Sequence, residues 1–242
     1  MSKINILGIS FDNLSKDEAV KKALSLIAGK SGDYICTPNS VILSMAGEDE
    51  KLKNAINSSA MVLADGMGVV AASKIRKTPL KERVAGIDFA ASLLYELSLI
   101  GGSVFLFGSL PNVANKAAEN ISTAFPGIII NGVSDGYYYD EQELSAKINE
   151  AKPDLLMVCL GAPKQEMWMQ KQRGKLKIGI MAGLGGSIDV FAGESKRAPL
   201  VWQKLRAEWL YRMIKEPKRF MQLPMLFKFI CRATVKRGER HG

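Results

Sequence analysis

The single histidine of this 242-residue chain, His241, stands one residue from the end of the sequence. Ser–His and Cys–His pairs and histidine-bearing metal centres need an imidazole inside the fold, so proton transfer falls to carboxylates. Asp65 is the strongest of these, because it ends the apolar run 60–64 and is followed by Gly66. At such a strand end a carboxylate faces a crevice and can act as a general base. A turn former or helix N-cap would occupy the same kind of position, and Asp88 and Asp189 carry the same two readings. Metal-dependent handling of a nucleotide diphosphate usually shows an Asp-x-Asp pair. None exists, and Glu48-Asp49-Glu50 reads as the solvated start of a helix. Arg83, Lys196, Arg197, Arg212 and Arg219 are the donors available to neutralise a diphosphate instead.

The elements that must hold these residues follow from the apolar pattern. Runs at 4–10, 33–37, 60–65, 103–109, 127–133, 154–161 and 177–186 read as strands, and helical periodicity fills 16–28, 86–100, 112–125, 141–152 and 164–175. Alternation of the two predicts an α/β fold, a Rossmann-like and largely parallel sheet flanked by helices. Ligands of such sheets bind outside the carboxyl ends of the strands. There the sequence gathers Thr37, Pro38 and Asn39, then Asp65, Gly66 and Gly68, then Gly108 and Pro111, then Ala162 to Glu166, and finally Gly183, Gly185 and Gly186. Loops that open helices also offer backbone N–H groups to phosphate oxygens. The glycine spacing is not Gly-x-Gly-x-x-Gly, so a dinucleotide fingerprint is weak.

Charge divides the chain. Residues 196–242 carry thirteen Lys or Arg against three Glu, a surplus of ten, whereas residues 1–195 carry twenty basic and twenty-one acidic side chains. The expected organisation is a catalytic body, 1–195, and a basic amphipathic helical appendage, 196–242. Trp202, Leu205, Trp209 and Met213 recur at helical spacing, as an ordinary helix packed on its own body would require. Beyond Pro217, the residues Phe220, Leu223, Met225, Leu226, Phe227, Phe229 and Ile230 are too many for a short charged segment to bury on itself. That segment is expected to meet an anionic, greasy surface, and a near-neutral body argues against nucleic acid as the partner. No run approaches the ~20 apolar residues of a membrane span and the chain opens with no signal-peptide pattern, so a cytoplasmic protein, peripheral at the membrane, is expected. Cys36, Cys159 and Cys231 are unclustered and read as reduced structural thiols.

The motifs Cys36-Thr37-Pro38-Asn39, Ala64-Asp65-Gly66-Met67-Gly68, Arg83-Val84-Ala85-Gly86, Gly161-Ala162-Pro163-Lys164-Gln165-Glu166 and Gly185-Gly186-Ser187-Ile188-Asp189, followed by Lys196-Arg197-Ala198-Pro199 and Glu208-Trp209-Leu210-Tyr211-Arg212, resemble those of the bacterial WecG/TagA/CpsF glycosyltransferases. The likeness runs from the first strand to about Phe220. It implies inverting, metal-independent transfer, without a cofactor, from a UDP-sugar to a polyprenyl-diphosphate-linked acceptor at the inner membrane face. In the teichoic-acid branch of that family, N-acetylmannosamine moves from UDP-ManNAc to undecaprenyl-diphosphate-linked GlcNAc. UDP-ManNAcA and UDP-glucose serve other members. Asp65 is then the implied base, and Thr37, Asn39, Arg83 and Gln165 the implied sugar and diphosphate contacts. Gly108, Gly185 and Asp189 lie in the same implied pocket, with Tyr137 of the run Tyr137-Tyr138-Tyr139 stacking on uracil. Arg212 and Arg219 match tail arginines that reach the diphosphate. Met221-Gln222 stands where the family tends to carry a further basic residue. The resemblance also admits a homo-oligomer. A nucleotide-sugar oxidoreductase or epimerase, the competing reading of the same sheet, lacks both the glycine fingerprint and a Tyr-x-x-x-Lys pair.

Overall fold

The computed structural model describes residues 2–195, 199, 202, 208–215, 220–221 and 223–235. The first apolar run is not a strand of the main sheet, as its sequence suggested, but an antiparallel hairpin of β1 (Lys3–Ile6) and β2 (Ile9–Asp12). Leu7 and Gly8 turn the chain with φ of 53° and 88°, the two-residue geometry that suits hairpin twist. Asp12, 4% exposed, ties this hairpin to the rest of the fold: its carboxylate accepts from Val62 N at 3.0 Å and meets Lys22 Nζ at 2.8 Å.

The remaining strands are β3 (Asp33–Cys36), β4 (Met61–Val62), β5 (Ser103–Gly108), β6 (Ile129–Ser134), β7 (Leu155–Cys159) and β8 (Ile180–Gly183). They form one sheet in the order β4-β3-β8-β7-β5-β6, and every pairing is parallel. Successive side chains of a strand point to opposite faces. Leu155, Met157 and Cys159 accordingly enter one core and Leu156 and Val158 the other, as do Ile180 and Ala182 against Met181. A strand buried on both sides must be apolar at every position, which is why these runs read as continuous rather than alternating.

Helices α1 (Lys16–Ala28), α5 (Gly86–Leu99), α6 (Pro111–Ala124) and α9 (Ser187–Phe191) supply the first core. The second is built from the hairpin with α2 (Ser40–Ala46), α3 (Glu50–Asn57), α4 (Met67–Ile75), α7 (Glu141–Ala151) and α8 (Lys164–Gln172). The helix starts are written in the sequence. Ser15 and Glu18 form a capping box, while Asn39, Asp49 and Asp140 cap α2, α3 and α7 with their side chains. The expected start at Glu48-Asp49-Glu50 is therefore real. α2 and α4 were not expected: α2 has only seven residues, too few turns for periodicity to speak, and α4 (MGVVAASKI) is apolar over its first six residues, with no polar face to mark a helix.

Two helices of the C-terminal segment are described, α10 (Glu208–Lys215) and α11 (Leu223–Val235). α11 lies on α2 and α4. Its face toward them sinks Phe229 and Ala233, each 1% exposed, into the second core, and Lys228 and Arg232 pair with Glu48. Its other face leaves Phe227 70% and Ile230 48% exposed. The apolar set expected to stay unburied is thus divided: Phe229 belongs to the fold, while Phe220, Leu223, Met225, Phe227 and Ile230 remain open. No helix among the described residues is long and apolar enough to cross a membrane.

Candidate active site

A parallel sheet presents all its carboxyl ends on one edge, and the expected loops converge there. At the left of the crevice, β3 runs into Thr37 and Asn39 and β4 into Asp65. The Asp65 backbone N–H donates to Pro38 O at 3.3 Å, which fixes the two loops side by side. Asp65 does not cap its own helix, since α4 starts without a side-chain cap. Its Oδ2 instead accepts from the N–H of Gly86, the first residue of α5, at 3.2 Å, and Arg83 Nη2 stands 3.4 Å from Oδ1. The positive end of a helix and a guanidinium both address the carboxylate, the form able to accept a proton. About 30% of the Asp65 side chain and 23% of that of Arg83 remain open to solvent.

Thr37 and Asn39 serve the walls. Thr37 Oγ1 donates to Gly183 O at 2.8 Å, and Asn39 Oδ1 accepts from Val41 N and Ile42 N at 2.9 and 3.2 Å. Thr37 still lines the spot beside the carboxylate, because a Cβ on Gly86 would lie 3.2 Å from its hydroxyl and 3.4 Å from Asp65 Oδ2.

At the right, Gly108 ends β5 with φ of 141°, and a Cβ there would stand 2.3 Å from Cys159 O. Only glycine lets β5 and β7 close up at this point. Ser109 follows, and its Oγ donates to Asp189 Oδ1 at 2.6 Å, joining the β5 end to α9. The loop after β6 joins through Gly136 N, which donates to Ser109 O at 2.9 Å, and through Lys164 Nζ, which donates to Gly136 O at 3.0 Å. Asp135 Oδ1 accepts from the backbone amides of Tyr137 and Tyr138, and the two residues are 68% and 80% exposed, available to stack. In the middle lies Gln165, 2% exposed. Its Oε1 accepts from Gly185 N at 3.1 Å and its Nε2 donates to Glu166 Oε1 at 2.9 Å. Gln165, expected among the ligand contacts, has both ends of its amide engaged within the protein and supports the Gly185 turn.

The structure thus brings together Thr37, Asn39, Asp65, Arg83, Gly108, Tyr137, Gln165, Gly185 and Asp189 on one edge. Arg219, Lys196 and Arg197 lie outside the described residues, and Arg212 is described only as backbone of α10. Asp88 sits in the first turn of α5. Gly86, Ser109 and Glu166 were not singled out. Gly86 opens a helix in the sequence and Ser109 follows a strand-ending glycine, signals too common to select them. Burial pushes the Cys159 thiol up to about 12 and that of Cys36 well above its ordinary value, consistent with inert structural thiols, while Cys231 is exposed. Among the described residues no three His, Cys, Asp or Glu cluster as metal ligands.

Known proteins resemble this chain in sequence. The family model of the glycosyl transferase WecG/TagA/CpsF family matches residues 4–241. The N-acetylglucosaminyldiphosphoundecaprenol N-acetyl-beta-D-mannosaminyltransferase of Bacillus spizizenii is 37% identical over 209 residues, 86% of this chain and 80% of that protein. The enzyme of the same name from Staphylococcus aureus strain MW2 is 34% identical over 240 residues, 98% of this chain and 94% of its own. With the motifs in order along one crevice and the match running nearly end to end, the chain belongs to the WecG/TagA/CpsF family of glycosyltransferases.

Proposed function

We propose that this enzyme is an inverting glycosyltransferase that moves N-acetylmannosamine from UDP-ManNAc to GlcNAc carried on undecaprenyl diphosphate. The observation that carries the reading is Asp65, a partly open carboxylate fixed between the Gly86 amide and Arg83 at the carboxyl-end edge of the sheet. The names of the two relatives supply the choice of sugars.

The reaction is a single displacement. Asp65 takes the proton of the attacking acceptor hydroxyl as its oxygen bonds to the anomeric carbon from the face opposite the nucleotide. The bond from that carbon to the diphosphate oxygen breaks, and UDP leaves with the electron pair. Arg83, Arg212 and Arg219 stabilise the growing negative charge, a role that costs little reorganisation when the donors are already in place. Tyr137 and Asp189, at the right of the crevice, hold the nucleoside. Residues 196–242 complete the site and bring it to the anionic inner face of the membrane, where the acceptor resides. A panel of UDP-ManNAc, UDP-ManNAcA, UDP-glucose and UDP-GlcNAc, offered with a short-chain lipid-diphosphate-GlcNAc acceptor, tests the assignment. Preferred turnover of UDP-ManNAc is expected, and preference for another donor would move the enzyme to a different branch of the family.

A further inference from the structure

One buried carboxyl group takes no part in this chemistry. Glu166, in the first turn of α8, is 1% exposed; its Oε1 accepts from Gln165 Nε2 at 2.9 Å, and its Oε2 meets no hydrogen-bond partner among the described residues. Burial pushes the carboxyl up from its ordinary value, against the lowering effects of the Gln165 bond and of its own backbone amide. A side chain this costly to bury calls for a reason beyond packing.

The side chain that bonds its Oε1 supplies the reason. The far end of Gln165 holds Gly185 N at 3.1 Å, and a Cβ on Gly183 would lie 3.2 Å from Gln165 Nε2, so the amide is packed along the strand end that Thr37 grips at Gly183 O. A carboxamide is nearly symmetric in shape, and turning it over exchanges acceptor for donor with little steric change. Turned over here, Gln165 would oppose its NH₂ to the Gly185 N–H and its carbonyl to the Glu166 oxygen. Each contact would set like against like. The oxygen of Glu166 therefore selects the orientation that holds Gly185.

We propose that Glu166 is a positioning residue: by locking the Gln165 amide it fixes the Leu184-Gly185-Gly186 turn against which the diphosphate of the donor binds. The proposal rests on the assignment of the crevice to a UDP-sugar. It predicts a separation of stability from binding. Glu166→Met keeps the length of the side chain and removes the unpartnered oxygen, so its melting temperature should equal or exceed that of the wild type. Its affinity for UDP by calorimetry, and its KM for the donor, should nonetheless worsen about 3- to 10-fold, the scale of one lost hydrogen bond, with kcat changed less. Glu166→Gln, which can still offer an oxygen to Gln165, should restore both. In a Gln165→Met background, Glu166→Met should add nothing further.

Hydrogen exchange of the Gly185 amide provides a readout that needs no ligand: faster by a similar factor in Glu166→Met, unchanged in Glu166→Gln. Should Glu166→Met not fold, Glu166→Asp, which withdraws the oxygen by one methylene, must show the same faster exchange. Wild-type exchange at Gly185 in Glu166→Met, or in Glu166→Asp where that serves, overturns the proposal, as does a Glu166→Gln variant as impaired as Glu166→Met. Failure of the wild-type enzyme to bind UDP would overturn the donor assignment alone, leaving the exchange result to judge the lock.

Discussion

Asp65 combines two roles that a sequence presents as alternatives. A carboxylate after an apolar strand and before glycine is either a cap or a reacting group, and here the same side chain caps α5 through Gly86 and faces the crevice with Arg83. The two roles make different demands on a substitution. Asp65→Asn keeps an oxygen for the Gly86 amide, so the fold and the UDP affinity should survive, but the amide cannot take a proton. Turnover should fall by about 10²-fold or more, the usual scale of general-base catalysis. Near-normal turnover would shift the base to Asp88 or Asp189. With cationic side chains and helix ends neutralising the leaving group, turnover should also persist in excess EDTA; loss restored by Mg²⁺ or Mn²⁺ would contradict the arginine-based account. At this scale the sequence disclosed the charged residues and hid the backbone. Asp65 and Arg83 stood out as types, whereas the Gly86 amide and the support that Gln165 gives to Gly185 depend on which groups come within 3–3.5 Å, and no spacing rule encodes that.

The same divide separates the elements. Five helices on the body were legible within a residue or three because each shows two or more turns of clean periodicity. The hairpin was misread because an apolar run of seven residues looks alike whether it extends or folds back, and only the positive φ of Leu7 and Gly8 decides. The least legible element is α11. Its sequence is apolar on both faces, so periodicity could not say that Phe229 and Ala233 belong to the body while Phe227 and Ile230 do not. Phe229 presses against α4 beside Gly68, with its ring 3.7 Å from where a Cβ on that glycine would be, one short turn from Asp65. Phe229→Ala should cost about 3–5 kcal/mol, the range for a fully buried phenylalanine, and lower the melting temperature by several degrees. Glu48→Gln, which removes the exposed partner of Lys228 and Arg232, should leave the melting temperature almost unchanged, since exposed pairs contribute little. If the two variants melt alike, α11 is not docked through Phe229.

For the whole molecule the governing fact is the uneven charge, near neutral through residue 195 and ten positive thereafter. Cations near an anionic surface contribute about 1 kcal/mol each, enough for peripheral attachment even when half of them engage. The structure adds a qualification invisible in the count: Lys228 and Arg232 already pair with Glu48, so they contribute less to attachment than their number suggests. What α11 offers outward instead is apolar, with Phe227 70% and Ile230 48% exposed on the side away from α2 and α4. An attached enzyme should lay that face into the interfacial zone, as amphipathic helices do. Deleting everything after Ser195 is a blunt test, because it also strips Phe229 and Ala233 from the core. Phe227→Ser with Ile230→Ser is cleaner. Neither side chain is buried, so melting and UDP affinity should hold, while sedimentation with vesicles rich in anionic lipid should drop severalfold and the residue of binding should become more salt-sensitive. Turnover on a water-soluble acceptor should be spared, in contrast to Arg212→Ala or Arg219→Ala, which, if these side chains donate to the leaving diphosphate as proposed, should slow the chemical step itself. Unaltered sedimentation of the double variant, or equal competition by DNA of matched phosphate content, would mean that charge alone holds the tail to its partner and that the apolar face of α11 serves some other contact.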